Sequence, residues 1–168
     1  MTIDFILGRR SIRRFTAEPV DEQQMETLLR AAMAAPSAGN QQPWQFVVIR
    51  QRPLLEAIPP LHPYAAMAAE AAAAVLVCGD LAGARYPDYW VQDCAAATEN
   101  LLLAAHALGL GAVWCGVYPT MDRVAAFREL FDIPERITPM ALVCLGHPGV
   151  TKPPAERYDP QRVHRDHW

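Results

Sequence analysis

The sequence predicts one domain built from both helices and strands, on three observations. Asp21-Glu22-Gln23-Gln24 opens a stretch whose apolar residues recur at helical spacing. Four short apolar runs, at 45–50, 74–78, 112–117 and 140–145, read as strands. A longer stretch, 91–108, is apolar nearly all round, as a buried helix would be. At 168 residues the chain fits a single domain spanning 1–168, and its 52% hydrophobic content argues against disorder.

Taken in order, Thr2 suits the N-cap of an opening helical turn that Gly8 closes. The capping box at Asp21 leads a helix with apolar Met25, Leu28, Leu29, Ala32 and Met33, stopped by Pro36. Pro36 to Trp44 is a loop before the strand Gln45–Arg50. A brief helix after Pro53 gives way to a turn through Pro59, Pro60 and Pro63. Tyr64–Ala72 is alanine-rich and predicted helical, and Ala74–Cys78 is a buried strand that Gly79 ends. The loop Leu81–Trp90 carries Tyr86, Tyr89 and Trp90.

Val91–Leu108 is the long helix, with Gly109 as its C-terminal cap. A domain this small has little room to bury a helix on every side, so this one points to a subunit interface. Ala112–Val117 is a strand, Asp122–Phe131 a helix and Met140–Leu145 a last buried strand. The tail from 151 to 168 is proline-rich at its start and is expected as an extended arm. No internal repeat or second domain is visible.

Composition narrows the function. A net charge of −3 and a pI near 5.9 argue against a nucleic-acid or anionic-membrane partner. The apolar stretches 65–78 and 101–113 fall short of the ~20 residues that span a bilayer. No secretory signal is apparent, and a soluble cytoplasmic protein is expected. Cys78, Cys94, Cys115 and Cys144 are too scattered for a zinc site or a disulfide framework and suit the core. His106 reads as a core or interface histidine, and His62, His147, His164 and His167 lack metal spacing.

The local charge is concentrated in Gly8-Arg9-Arg10-Ser11-Ile12-Arg13-Arg14-Phe15, where four arginines surround one hydroxyl. Forked guanidinium donors and a serine suit phosphate oxygens, although a basic run alone also reads as a solvated loop. Three further stretches stand in order behind it. These are Pro36-Ser37-Ala38-Gly39-Asn40-Gln41-Gln42-Pro43-Trp44, the run Gly109-Leu110-Gly111-Ala112-Val113-Trp114-Cys115-Gly116-Val117, and the tail Lys152-Pro153-Pro154 with Arg157-Tyr158-Asp159, Val163-His164 and Trp168.

Together these stretches resemble the nitroreductase family of flavoproteins over almost the whole chain. The resemblance implies an α+β, three-layer fold, with a central mixed sheet of four to five strands between helices. It implies a homodimer whose C-terminal arm reaches the partner, with one FMN per subunit at the interface. By position, Arg9, Arg10 and Ser11 match residues that hold the flavin phosphate and ribityl chain, and Arg157 a late phosphate-binding arginine. Arg13 matches a basic residue near the pyrimidine edge of the ring. Pro36, Ser37 and Asn40 match contacts made from the partner subunit. Trp114, Cys115 and Gly116 match the segment along the isoalloxazine. Some members carry an acidic residue where Gly116 stands, so the polarity of the substrate side differs here.

The residues agree with such a cofactor. No nucleophile–base pair or metal cluster is evident, as expected where a flavin carries the redox chemistry and the protein supplies binding and electrostatics. Arg13 is placed to favour the negative charge of the reduced ring. Asn40 and Gln42 can pair with polar edges of the flavin, while Gln42 and Ser37 equally suit bonds within their own loop. Trp44 and Phe46 read as core. Tyr64, Tyr86, Tyr89 and Trp90 suit either the substrate face or an ordinary surface. The implied activity is ping-pong electron transfer from NADH or NADPH to a small aromatic acceptor such as a nitroaromatic or a quinone. Dehalogenation, substrate oxidation and FMN storage are alternatives within the same resemblance.

Overall fold

The computed structural model describes residues 3–168, so the expected cap at Thr2 lies outside the described residues. Among these residues the chain forms five α-helices and four strands. A short α1, Asp4–Gly8, leads into the irregular arginine segment. Helix α2, Glu22–Met33, starts on the capping box expected from sequence. The Asp21 carboxylate accepts the Gln24 N–H at 2.7 Å, and the Gln24 side chain accepts the Asp21 N–H at 3.0 Å. Met25, Leu28 and Ala32 form its buried stripe, whereas Met33 is exposed.

The strands are β1 (Trp44–Ile49), β2 (Ala73–Asp80), β3 (Gly111–Gly116) and β4 (Ile137–Gly146), in spatial order β1-β2-β4-β3. All three pairings are antiparallel, where a mixed sheet was expected. The reason lies in the connections. Strands β2 and β3 run the same way, joined by the long helix α4 (Trp90–Ala107), but β4 inserts between them and pairs antiparallel with both. The parallel pairing present is an isolated bridge between Ser11 and Ala112.

Both faces of the sheet are covered, giving three layers. Val75, Val77, Val143 and Leu145 pack towards α2 and α4. Leu76, Cys78, Val113, Leu142 and Cys144 pack towards α3 (Arg52–Ala57), α5 (Met121–Leu130) and the turns between α3 and β2. Burial on two sides explains why β2 and β4 read as continuous apolar runs rather than alternating ones. All four cysteines are free and buried, as expected.

One segment differs from expectation in an instructive way. Tyr64–Ala72 forms no α-helix; it holds a 3-10 helix at Ala66–Glu70. Ala65, Ala68 and Ala71 are each joined to the residue three back, at 2.9, 2.9 and 3.2 Å, and all are fully buried. A period of three puts the three alanines on one buried face. Arg52 holds the end of the segment by donating to the carbonyls of Ala69 and Ala71. Helix α4 ends as expected at Gly109, φ +73°. There the Leu110 N–H bonds Ala105 O at 2.8 Å and the Gly109 N–H bonds His106 O at 3.1 Å, a Schellman closure that only a residue at ease in the left-handed region makes without strain. Among the described residues, no helix is long and apolar enough to cross a membrane.

Candidate functional site

The arginine segment is pinned by its apolar members. Strands β3 and β4 start and end on the facing pair Gly111 and Gly146. A Cβ on Gly111 would sit 2.8 Å from Ile12 Cγ2, and one on Gly146 2.9 Å from Phe15 Cδ1. Glycine there lets Ile12 and Phe15 seat closely against the backbone, which leaves Arg13 and Arg14 exposed. Main-chain bonds complete the attachment: the Ile12 N–H donates to Ala112 O at 2.9 Å, and the Gly149 N–H to Arg14 O at 2.8 Å.

Arg9 and Arg10 turn towards other parts of the chain. Arg9 Nε pairs with Glu99 on α4 at 3.2 Å, and Arg10 donates to the carbonyl of Pro153. Lys152 Nζ donates to Ser11 O at 2.9 Å, so the arm starts by folding back on the arginine segment. From there it stays extended, apart from one 3-10 turn at Pro160–Arg162. Between α1 and the arm lies a cleft of about 890 Å³ that brings Arg9 and Arg157 to one space.

The second part is the free edge of β3. Its register with β4, together with the Val117 N–H bond to Met140 O at 3.0 Å, sets the phase of the ladder. Residues 113 and 115 face β4, while the main-chain groups of 112, 114 and 116 face outward. Ile12 takes the Ala112 carbonyl, and the Gly116 carbonyl accepts from His62 Nε2 at 2.8 Å and Arg123 Nη1 at 3.2 Å. The N–H groups of Trp114 and Gly116 thus face away from β4 and, among the described residues, meet no acceptor. A Cβ built on Gly116 meets nothing nearer than Tyr118 O at 4.0 Å, and no positive φ requires glycine there. Protein packing does not explain the missing side chain; a flat ligand against the strand would.

Arg13 stands close enough to this edge for its charge to act on Cys115. Hydrogen bonding with Cys144 holds the Cys115 thiol below its ordinary pKa, against the opposing effect of burial, and Arg13 adds to the lowering. The same contact raises Cys144. Trp114 is half-buried against the α2–α4 layer.

The loop after α2 is separate. Gly39, Asn40 and Gln42 all have positive φ, at 54°, 55° and 49°, a strained run for the two residues that carry side chains. Asp93 in the first turns of α4 holds it, with 5% of its surface exposed. Its Oδ1 accepts the Ala38 N–H at 2.9 Å and its Oδ2 accepts Gln41 Nε2 at 2.8 Å. Gln41 also donates to Tyr86 O and accepts the Tyr86 N–H, both at 3.0 Å, which ties the 81–89 loop to the same post. Ser37 Oγ accepts the Gln42 N–H at 3.0 Å, and Gln42 Nε2 reaches Asn40 Oδ1 at 3.3 Å. Ser37 thus bonds the main chain of its own loop, whereas the Gln42 side chain meets another side chain rather than the backbone. Pro36, Asn40 and Gln42 are exposed.

The fold therefore brings Arg9 and Arg157 to one cleft, joins Arg10 and Ser11 to the start of the arm, and sets the Arg13 charge within reach of Cys115. Among the described residues, no hydrogen bond or ion pair joins residues 36–42 to residues 9–14. Sequence reasoning passed over Asp93 and Arg123, and gave Gln41, His62 and Lys152 no role of their own. Asp93 carried one signal, a charge in the first turns of a largely apolar helix; Arg123 had none.

Comparison with known proteins agrees with this fold. The model of the nitroreductase family matches residues 6–147. An Archaeoglobus fulgidus protein, provisionally named an NADH dehydrogenase/NAD(P)H nitroreductase, is 46% identical over 170 residues, covering 99% of this chain and 98% of its own length. A Clostridium acetobutylicum crystal structure, provisionally called an NADH oxidase, matches with a TM-score of 0.95 at 38% identity, over 98% of this chain and 100% of its own. A Desulfovibrio desulfuricans structure, provisionally called a nitroreductase and solved in complex with FMN, matches at 0.85 and 31% identity, over 99% and 96%.

Proposed function

This chain belongs to the nitroreductase family, and from that membership we propose that it is an FMN-dependent oxidoreductase. It takes electrons from NADH or NADPH and passes them to small electron-poor aromatics such as nitroaromatics and quinones. The observation that carries this reading is the free edge of β3, with two outward N–H groups, bare space over Gly116 and an arginine segment fastened alongside.

The residues present fit FMN. Arg9, Arg10, Ser11 and Arg157 supply forked cationic donors and a hydroxyl for the phosphate and ribityl chain. Arg10 and the Lys152–Ser11 contact set where the arm lies against them. The amides of Trp114 and Gly116 offer donors to polar atoms of a ring laid along β3, with Cys115 facing the core between them. Arg13 holds a fixed positive charge at that edge, where it favours the negative charge that reduction creates. When bound, the isoalloxazine supplies the hydride-accepting and hydride-donating chemistry. The shallow, open edge admits donor and acceptor in turn, which is ping-pong order, and its flatness suits loose acceptor choice.

Two copies complete the site in this reading. Helix α1 buries none of its residues and leaves Ile3, Ile6 and Leu7 exposed, a short helix that a second chain would cover. The strained loop with Pro36, Ser37, Asn40 and Gln42 lies apart from the arginines of its own chain and serves the partner's cofactor. The reaction is assigned to the cytoplasm in this reading.

The test is the absorbance spectrum of purified protein, then anaerobic titration with NADH and NADPH and turnover with menadione. A yellow protein that NAD(P)H bleaches and menadione restores is expected. Protein that stays colourless with added FMN refutes the reading, and yellow protein without turnover makes it a storage protein. Sedimentation should show a dimer; a stable monomer that nonetheless turns over would remove the two-chain site.

A further inference from the structure

The geometry points to a subsite formed by Arg123 and Tyr64 for the anionic group of a planar aromatic substrate. It lies beside the open end of β3 and rests on the reading of that edge as the place of the flavin ring. The N–H and C=O of one strand residue point to the same side. The Gly116 N–H therefore opens onto the space its carbonyl faces, and that carbonyl is held by His62 and Arg123. His62 is 1% exposed, and its Nδ1 accepts the Tyr64 N–H at 3.2 Å. That bond assigns the proton to Nε2 and fixes the main chain of Tyr64.

What this scaffold presents is unusual for a surface. The Tyr64 side chain leaves the residue 72% exposed, with the Arg123 guanidinium 5.6 Å from the ring centroid. Arg123 is half-buried and, among the described residues, has no carboxylate within ion-pair distance. It donates to Gly116 O and, among the described residues, to no other acceptor, which leaves most of its five N–H groups free. A partly desolvated cation with spare donors, held beside an exposed aromatic face, selects a flat ligand bearing a carboxylate or similar anion. The ligand ring lies against the tyrosine while the anion takes the guanidinium fork. Neutral aromatics gain only the first of these contacts.

The test uses FMN-loaded protein with benzoate and benzamide as non-reacting ligands, followed by calorimetry and by the flavin difference spectrum. Turnover of 4-nitrobenzoate and 4-nitrobenzamide provides a second comparison. Wild type is expected to bind benzoate about tenfold more tightly than benzamide, the scale of one hydrogen bond to a charged group. Arg123→Gln should erase that preference while FMN content stays, and Arg123→Lys should keep part of it. Wild type that binds both ligands equally overturns the subsite, and this comparison needs no variant to fold. Arg123→Gln that holds FMN and still prefers benzoate overturns it as well. Protein that takes up no FMN overturns the functional reading and the subsite together, whereas FMN-loaded protein without anion preference overturns the subsite alone.

Discussion

Replacing Asp93 with asparagine changes one atom of a buried post and should loosen two loops at once. The carboxylate offers two acceptor oxygens, one to the Ala38 N–H and one to Gln41 Nε2. Asparagine keeps one acceptor and sets an NH2 group against the NH2 of Gln41. Turning the Gln41 amide over would relieve that clash, but it would reverse both of its bonds to Tyr86, from Tyr86 N and to Tyr86 O. Every arrangement thus breaks at least one of these four bonds, two of which are partly buried. A hydrogen bond to a charged group contributes about 1.5–3 kcal/mol, so Asp93→Asn should cost about 2 kcal/mol. For a chain of this size that lowers the melting temperature by about 4–8 °C. Asp93→Ala, which strands both donors, should cost about 3–5 kcal/mol. Urea denaturation gives the stability change, and limited proteolysis reads the 81–89 loop, which should become the first site of cleavage. An Asp93→Asn protein within about 0.5 kcal/mol of wild type, its loop still protected, would refute the account of the post.

Other outcomes follow from the same contacts. Arg9→Ala should lower FMN retention far more than stability, since its half-exposed pair with Glu99 is worth about 1 kcal/mol or less; equal losses in spectral titration and urea melts would make the arginine structural. Gly79→Ala would press a methyl to 2.4 Å from Trp90 Cε3, and overpacking of this kind costs about 1–3 kcal/mol, measured by denaturation. Burial pushes the thiols of Cys78 and Cys94 up to about 12, so the folded state holds protons that the unfolded state releases near 9. Their contribution is complete below pH 9 and is lost as pH rises towards 12, so stability should fall along that limb and less so in Cys78→Ala/Cys94→Ala. Timed alkylation read by mass spectrometry should label Cys115 ahead of those two; the reverse order would contradict the Cys144 and Arg13 effects.

The sequence by itself determined what local chemistry decides. Asp21 and Gln24 close their box within one turn, Gly109 takes the left-handed step that ends α4, and the four apolar runs became the four strands. The arginine segment was legible because its four charges fall within six positions. The family was legible because several such stretches occur in order. Where the reading fell short, the deciding partner lay far along the chain. Alanine spacing at 65, 68 and 71 suits an α-helix or a tighter turn, and the packing surface settled it as the latter. The insertion of β4 between β2 and β3, which turned an expected mixed sheet antiparallel, has no local signature.

Only the tertiary structure assigned Asp93 to the Ala38 loop, 55 residues away, and His62 to the Gly116 carbonyl, 54 away. A buried carboxylate or imidazole must find its partner wherever the fold delivers one, because leaving it unpaired costs more than most contacts return. That requirement acts on the folded chain as a whole, and so no window of the sequence displays it.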